Sequence, residues 1–467
     1  MTDMPPEEFR QAAHQAVDWV ADYLSAVRNY PVLPQLRPGD LVDLLPKSAP
    51  DQGEPIGDIL ADFEEQILPA VTHWNHPRFH AYFATSASGP GILAELLTAA
   101  LNVNGMLWKA SPASAELEQV TLSWLRQWLH LPEEWFGVIF DTASTSTMHA
   151  LGAARAFVEA DARIRGGSQN LTVYTSEQAH SSVEKGAVSI GLGQGNVRKI
   201  PVDAEFRMRP DALGQAIESD VSLGKTPCCI VPTVGTTSTS SIDAIEPAAE
   251  LAERYGAWLH VDAAYGGPAA ILPELRHILN GASRAHSLVV NPHKWMAVPL
   301  DLSVLYTSRP DMLRNAFSLI PEYLRTGEDE RAVNFMDYGV PLGRRFRSLK
   351  LWFVLRYFGR EQMMEMLRLH IALAAQLASK IEAHENFELR APVPLSLVCF
   401  RYQGSDEANR QLLDDINASG RAFLSHTVLN GKFVLRLAIG NIRVTPADIE
   451  ETWSCIQECA ASLSRTA

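Results

Sequence analysis

Leu288-Val289-Val290-Asn291-Pro292-His293-Lys294-Trp295 is the stretch that decides the fold, and it predicts a buried strand running into a turn. Its apolar, β-branched residues favour the strand, and Asn291-Pro292 ends it, because proline cannot donate to a sheet ladder. The turn then presents His293 and Lys294. Burial disfavours the charged form of a lysine, and a neutral amine can form a Schiff base with a carbonyl compound. On the lysine alone, an ordinary solvated strand-end residue would be the better interpretation.

A second predicted strand end, Val261-Asp262-Ala263-Ala264-Tyr265-Gly266-Gly267, changes that interpretation because it carries a carboxylate. Pyridoxal phosphate needs both groups: an amine for its aldehyde and an acid that keeps its ring nitrogen protonated. Ligands of parallel sheets bind at the carboxyl ends of the strands, where Asp262 and Lys294 are both predicted. The two strand ends together therefore predict a site for pyridoxal phosphate.

The residues around these strand ends alternate between short apolar runs and helical stretches, from Phe136 to about residue 310. This alternation is typical of an α/β domain with a mainly parallel central sheet. We predict strands at 136–140, 171–174, 228–233, 257–261, 287–290 and 302–306, and helices at 145–160 and 245–255 among others.

The two ends of the chain follow other patterns. Two amphipathic helices near the N-terminus, joined by a proline-rich connector, make a poor core by themselves, so we expect them to pack on a second subunit. Near the C-terminus a long helix from about residue 346 leads to two strands and a last helix that begins at Thr445-Pro446. We therefore predict an N-terminal helical segment (1–88), a large cofactor-binding α/β domain (89–350) and a small α+β domain (351–467).

Composition excludes several classes of function. The chain has 467 residues, of which 46% are hydrophobic and 20% charged, as in ordinary globular proteins. Its net charge of −14 argues against binding to nucleic acid or to an anionic membrane. The five cysteines are too scattered for a disulfide framework, and no metal site is predicted. No apolar run reaches the length of about 18 residues that a membrane span needs, so we expect a cytoplasmic protein.

Two hydroxyl-rich turns and a histidine are further candidates for the site. Asp141-Thr142-Ala143-Ser144-Thr145-Ser146-Thr147 follows a strand and opens a helix, where backbone N–H groups can bind a phosphate. Ordinary helix capping explains the same residues equally well, and Asp141 would repel an anion. Gly235-Thr236-Thr237-Ser238-Thr239-Ser240-Ser241 also follows a strand. His180 follows the strand at 171–174 and has the chemistry to stack on a pyridine ring and move protons near neutral pH.

The segment from His73 to Phe83 is unusually aromatic. Packing within the domain, a subunit interface and an aromatic substrate pocket are all open interpretations, and composition alone favours the first. The motifs of two other enzyme classes are absent from the sequence: it has neither a P-loop nor a pair of histidines at metalloprotease spacing.

Taken together, these residues resemble the group II pyridoxal-phosphate-dependent amino-acid decarboxylases, and most of all the aromatic-L-amino-acid decarboxylases. The resemblance runs nearly from end to end. Its strongest stretches are Val71-Thr72-His73-Trp74, Gln178-Ala179-His180-Ser181-Ser182-Val183-Glu184-Lys185, Leu259-His260-Val261-Asp262-Ala263-Ala264-Tyr265, Asn291-Pro292-His293-Lys294-Trp295 and Pro341-Leu342-Gly343-Arg344-Arg345-Phe346-Arg347-Ser348-Leu349-Lys350. It implies fold type I, the aspartate-aminotransferase type, as an intertwined homodimer with an N-terminal helical flap.

The resemblance also implies the role of each catalytic residue. Lys294 attaches the cofactor, and Asp262 pairs with its ring nitrogen. His180 stacks on one face of the ring and the Ala264 methyl group packs on the other. Tyr323, in a polar loop with a glycine hinge, protonates the substrate carbon after carbon dioxide leaves.

The remaining implied contacts fall into two sets. The phosphate and the rest of the cofactor are held by Ala143, Ser144, Asn291, Thr237 and His293. The substrate wall is formed by Trp74, Tyr82, Phe83, Thr85, Met106 and Gly343.

The chain departs from the animal enzymes of this family at several positions. It has Asp141-Thr142 where they have Gly-Ser, Met106 where they have a phenylalanine that reaches across the dimer, and Ala84 where they have proline. Gly343 matches a position at which glycine is associated with indole substrates in the plant enzymes. These departures concern phosphate contacts and substrate preference rather than the cofactor.

The implied activity is decarboxylation of an aromatic L-amino acid (tryptophan, Dopa, tyrosine or phenylalanine) to the amine and carbon dioxide. One alternative is an aromatic aldehyde synthase, which in this family accompanies loss of the loop tyrosine or the stacking histidine. A second is a decarboxylase of an acidic or diamino acid, and a third is a non-catalytic cofactor-binding or interaction protein. Tyr323 and His180 favour the amine-forming enzyme.

Overall fold

The computed structural model of the chain describes residues 3–319 and 331–466. Tyr323 therefore lies outside the described residues. The chain forms two compact units, a larger one of Thr85–Lys380 with Leu389–Cys399, and a smaller one of Met1–Ala84, Ile381–Glu388 and Phe400–Ala467. In the described part of the chain, no helix is both long enough and apolar enough to cross a membrane.

A seven-stranded sheet forms the centre of the larger unit. Its strands are β1 (Phe136–Phe140), β2 (Leu171–Ser176), β3 (Val197–Ile200), β4 (Thr226–Val231), β5 (Trp258–Asp262), β6 (Ser287–Val290) and β7 (Ser303–Thr307). They lie in the order β1-β7-β6-β5-β4-β2-β3. The pairs from β6 to β3 are parallel, whereas β7 is antiparallel to both of its neighbours. The predicted mainly parallel α/β sheet is confirmed.

Helices cover this sheet, so strands β2, β5, β6 and β7 are buried along their whole length. Burial on both faces explains why these strands read as continuous apolar runs rather than as alternating patterns. The α-helices of the larger unit are Gly89–Leu101, Pro112–Trp128, Ala143–Val158, Ala162–Arg165, Ser182–Ser189, Pro210–Ser222, Ile245–Tyr255, Pro292–Trp295 and Pro310–Phe317. A long helix, Arg347–Ala383, follows and is kinked at Gly359.

A second sheet has four strands in the order β10-β11-β9-β8. They are β8 (Phe387–Leu389), β9 (Leu397–Tyr402), β10 (Ser425–Leu429) and β11 (Lys432–Ala438), and β10 pairs antiparallel with β11. The α-helices near the two chain ends are Pro6–Ala26, Asp40–Leu44, Ile56–Asp62, Asp406–Ala418 and Pro446–Thr466. The last helix begins as expected, because the Thr445 N–H donates to the Asp448 carboxylate (2.9 Å) in a capping arrangement.

The N-terminal and C-terminal stretches fold together into the smaller unit. The His80 N–H donates to the Phe423 carbonyl (2.8 Å), and the Ala438 N–H donates to the His80 carbonyl (2.9 Å). Arg28 forms an ion pair with Asp448 at 3.0 Å. The compact units thus follow other limits than the three predicted parts, because the N-terminal segment shares a core with the end of the chain. The predicted division at residues 88 and 350 stays a prediction.

Candidate active site

Lys294 lies on a one-turn helix, Pro292–Trp295, directly after strand β6. The Lys294 N–H donates to the Asn291 carbonyl (2.9 Å), which closes the turn. Trp295 anchors it, since its buried ring stacks on Tyr265 at 4.9 Å and its Nε1–H donates to His370 Nδ1 (2.9 Å). The lysine itself is only half-buried. The fold therefore holds the backbone of Lys294 rigidly and leaves its side chain accessible.

Asp262 is the last residue of β5 and is 4% exposed. Strands β5 and β6 are parallel neighbours, so their carboxyl ends lie at the same edge of the sheet. The Ala264 N–H donates to Asp262 Oδ1 (3.1 Å), and the Asn291 N–H donates to the Ala264 carbonyl (3.2 Å). These two bonds tie the aspartate segment to the segment that carries the lysine.

His180 lies in the loop after β2 and is exposed. Its Nδ1 accepts a hydrogen bond from the Ser182 N–H (3.1 Å). Loss of hydration lowers the pKa of His180 from its ordinary value, the Lys294 ammonium lowers it further, and Asp262 opposes both. The histidine therefore shares an electrostatic environment with the lysine and the aspartate.

His293 is buried, and its Nδ1 accepts a hydrogen bond from the Leu302 N–H (2.9 Å). Burial, followed by the charge of Lys294, lowers the pKa of His293 to about 3. The ring is therefore neutral near neutral pH and carries its proton on Nε2.

The predicted phosphate turn begins the helix Ala143–Val158. Thr142 is its N-cap, and the Thr142 side chain accepts a hydrogen bond from the Thr145 N–H at 3.5 Å. Asp141 Oδ1 accepts the Thr142 N–H (2.6 Å), so its charge is partly satisfied by its own neighbour. Ordinary capping is thus present. Capping does not exclude an anion site, because the first N–H groups of a helix, here from Ala143 and Ser144, have no partner within it.

A family model described as the pyridoxal-dependent decarboxylase conserved domain matches residues 38–403. The chain belongs to this family. Among similar proteins, Tyrosine decarboxylase 2 of Narcissus pseudonarcissus is 39% identical, with 98% of this chain and 95% of the relative covered. Phenylacetaldehyde synthase of a Rosa hybrid cultivar is 38% identical, over 99% and 96%. The crystal structure of Oryza sativa TDC with PLP and tryptamine superposes with a TM-score of 0.96, at 34% identity, over 99% of both chains.

This pyridoxal-dependent decarboxylase is thus a carboxy-lyase of fold type I with pyridoxal phosphate as cofactor, and the predicted family, fold and cofactor are confirmed. Its residues fit the cofactor on independent grounds. Asn291 is buried, and within the described residues its Oδ1 has no hydrogen-bond partner. A buried amide left unpaired is costly, and turning it over would offer its NH2 group to a phosphate. The buried Asp262 carboxylate likewise suits a protonated ring nitrogen.

The predicted substrate residues lie in both units of the decarboxylase. In the smaller unit the Trp74 ring stacks on Phe79 (4.2 Å) and on Tyr82 (6.0 Å), while Arg436 lies over the Phe83 ring (4.7 Å). Phe79 is buried, so packing explains it, whereas Trp74 and Tyr82 are exposed. The aromatic segment thus combines core residues with exposed rings.

Three of the predicted substrate residues, Thr85, Met106 and Gly343, belong to the larger unit. There the Gly105 N–H donates to the Arg344 carbonyl (2.8 Å), which brings the segments of Met106 and Gly343 together.

Sequence reasoning overlooked two buried groups beside Asp262. His260 lies two residues earlier on the same face of β5, and its Nδ1 hydrogen-bonds the Ser287 hydroxyl (2.8 Å). Asp243 accepts the N–H of Thr233 (2.8 Å), whose backbone pairs with Asp262. Burial lowers the pKa of His260 to about 4 and raises that of Asp243 to about 6. Side chains two residues apart on a strand lie on the same face, so the spacing from Asp262 could have pointed to His260. No feature of the sequence pointed to Asp243.

Proposed function

We propose that this enzyme decarboxylates an aromatic L-amino acid to the corresponding amine and carbon dioxide. The observation that carries the proposal is the pair of Lys294 and Asp262 at adjacent strand ends. Both act electrostatically on His180, and Lys294 also acts on His293; the pKa of each histidine is lowered. The substrate class is supported by relatives named for aromatic amino acids and their products, including the structure with tryptamine.

The proposed mechanism assigns one task to each group of the chain. When bound, pyridoxal phosphate supplies an electron sink for the bond that breaks as carbon dioxide leaves. The Lys294 amine attaches the cofactor, and the Asp262 carboxylate keeps a proton on the ring nitrogen. The neutral His180 ring and the Ala264 methyl group hold the two faces of the ring.

The other proposed contacts surround these groups. The helix N-terminus at Ala143 and Ser144 holds the phosphate together with Asn291, while Thr237 and His293 support the ring and the substrate. The Tyr323 hydroxyl donates a proton to the substrate carbon.

An aromatic aldehyde synthase is the second candidate, because a phenylacetaldehyde synthase shares 38% identity with the chain. We favour the amine, since both Tyr323 and His180 are present. Replacing Tyr323 by phenylalanine should divert product from the amine toward the aldehyde and ammonia. An unchanged yield of amine from this variant would remove Tyr323 from the proposed role.

Product analysis tests the proposal. Purified enzyme with added pyridoxal phosphate is given L-tryptophan, L-Dopa, L-tyrosine, L-phenylalanine, L-glutamate and L-2,4-diaminobutyrate, and amines and aldehydes are quantified separately. We expect an aromatic amine. Product from the acidic or diamino substrates alone would refute the aromatic pocket and leave the cofactor in place.

Borohydride reduction and peptide mapping test the attachment site. The cofactor should be recovered on the peptide that contains Lys294. A Lys294→Ala variant should lose both the label and turnover, whereas Lys185→Ala, at another lysine near His180, should keep both. Label at any other lysine would contradict the assignment.

We also propose a homodimer, because the helix Pro6–Ala26 buries none of its residues within one chain. Phe9 and Val17 are 58% and 45% exposed on its apolar face. Light scattering should find a dimer, and a Phe9→Asp/Val17→Asp variant should dissociate. Ile164→Asp, at an apolar residue 85% exposed elsewhere, should not dissociate. A dimeric double variant would refute the helix as the contact.

A cytoplasmic location is consistent with the five cysteines, all of which are free.

A further inference from the structure

The hydroxyl-rich turn after β4, residues 235–241, contains a chain of buried hydroxyl groups. Thr236 Oγ1 lies 3.0 Å from Thr239 Oγ1, which lies 2.8 Å from Ser241 Oγ. Ser241 Oγ in turn donates to the carbonyl of Glu205 (2.7 Å). All three side chains are at most 3% exposed. No solvent therefore competes for these bonds.

The direction of every bond in this chain follows from its last member. The Glu205 carbonyl can only accept a hydrogen bond, so the Ser241 hydroxyl donates to it and must itself accept from Thr239. Because the Thr239 hydroxyl donates to Ser241, it must accept from Thr236. The Thr236 oxygen in turn accepts the Ser241 N–H (3.0 Å). The chain thus runs one way, from Thr236 through Thr239 and Ser241 to Glu205, with each hydroxyl both donating and accepting.

The same turn is fixed against the segment that carries Asp262. The Val234 N–H donates to the Asp262 carbonyl (2.8 Å), and the Gly266 N–H donates to the Val234 carbonyl (3.1 Å). Gly235 has φ +88°, and a Cβ added to it would lie 2.9 Å from the Gly266 nitrogen. Thr237 lies between Thr236 and Thr239 on this turn and is only half-buried.

We propose that the one-way chain of Thr236, Thr239 and Ser241 is a positioning device that holds Thr237 at a set place against the bound cofactor. The inference rests on the proposed contact between Thr237 and pyridoxal phosphate. All three hydroxyls are engaged with one another, with the Ser241 N–H or with the Glu205 carbonyl. They act through the backbone of the turn, because fixing Thr236 and Thr239 fixes the residues between them.

Thr239→Val tests this proposal, because it removes the central hydroxyl and keeps the shape of the side chain. The Thr236 proton and the Ser241 oxygen each lose a buried partner, so we expect pyridoxal phosphate to bind the apoenzyme about tenfold more weakly. The absorption and circular dichroism bands of the bound cofactor should also shift. Thr239→Ser should restore both affinity and spectrum, because it returns the hydroxyl.

Two further variants separate positioning from general destabilisation. Thr172→Val breaks a buried hydroxyl pair with Tyr174 (2.8 Å) on strand β2, so it should lower stability without changing cofactor affinity or spectrum. Ser241→Ala removes the acceptor of Thr239 from the end of the chain, and should weaken cofactor binding even if Thr239→Val does not fold.

The outcomes test the positioning role of the hydroxyl chain separately from the proposed cofactor site. Wild-type affinity and spectrum in both Thr239→Val and Ser241→Ala would overturn the positioning chain. Equal losses in Thr172→Val would also overturn it, because the effect would then be general. Wild-type protein that gives no borohydride label at Lys294 would instead refute the proposed site, whatever the variants of the turn do.

Discussion

Gly235→Ala is the perturbation that tests most directly how the turn is joined to the aspartate strand. Gly235 has φ +88°, a left-handed backbone conformation that residues other than glycine rarely adopt. The added Cβ would lie 2.9 Å from the nitrogen and 3.1 Å from the Cα of Gly266. Both neighbours are backbone atoms, so no side chain can rotate away to make room.

The expected cost has two parts. The left-handed conformation costs an alanine roughly 1 kcal/mol. The contact with backbone forces the turn and the strand end apart, as in an overpacked core, at about 2 kcal/mol. We therefore expect the free energy of unfolding to fall by about 3 kcal/mol. Cofactor affinity should fall with it, because the same movement shifts the turn that carries Thr237 away from the strand end that carries Asp262.

Gly256→Ala is the matched control. Gly256 also has a positive φ, +64°, at the end of the helix Ile245–Tyr255, but an added Cβ there meets nothing within 4 Å. It should lose roughly 1 kcal/mol and bind the cofactor normally.

The assay is urea unfolding of both variants, together with titration of the apoenzymes with pyridoxal phosphate. If Gly235→Ala loses no more stability than Gly256→Ala, the close approach to Gly266 is wrong.

Three further predictions concern charge. Burial lowers the pKa of His80 to about 4, so its contribution to stability falls by about 3 kcal/mol as the pH falls from 6.5 to 4, because the unfolded chain takes up the proton first. His80→Gln should remove this part of the pH dependence of the unfolding free energy and leave the part that comes from other buried histidines such as His260 and His293. Arg344→Met leaves the buried Glu118 without its cation (2.7 Å in the wild type) and should cost about 3–5 kcal/mol in unfolding free energy, while the double variant with Glu118→Gln should recover part of the loss. Asp262→Asn keeps the size of the side chain and removes its charge, so single-turnover measurements should find a rate lower by on the order of 10²-fold, and a near-normal rate would contradict its role.

The strands that sequence reasoning found are mostly or wholly buried. Residues 287–290, which are buried throughout, were predicted as a strand with the limits that the structure has, because an unbroken apolar run marks such strands. Residues 136–140 were also predicted with the correct limits, although the first two of them are only half-buried. Strand β3 was missed, since Val197–Ile200 contains Arg198 and Lys199 at the edge of the sheet. The antiparallel direction of β7 was not predicted either, because direction depends on the connection, which here contains no more than the one-turn helix Pro292–Trp295.

The positions of two residues of the candidate site, Lys294 and Asp262, were predictable because both lie at strand ends. Lys294 and Asp262 follow neighbouring strands, so a sheet with parallel strands brings them to one edge. The hydroxyl chain through Thr239 was not predictable, because a serine- and threonine-rich turn looks the same whether its hydroxyls face water or one another. Its order depends on Glu205, which lies far away in the sequence and contributes only a backbone carbonyl. Residue type carries no information on such a partner.

The protonation state of the two histidines is likewise a property of the fold rather than of the sequence. His180 and His293 both use Nδ1 to accept a backbone N–H, so each neutral ring presents a proton on Nε2. In the proposed site, a cationic His180 stacked on the protonated ring of the cofactor would be repelled by it. In the proposed site the lowered pKa of His180 would remove that repulsion. Burial is the largest cause of the lowered pKa of both histidines, and the Lys294 charge comes next. The pKa of His180 should therefore rise when Lys294 is replaced by alanine, which an NMR titration of the His180 ring in both proteins would measure.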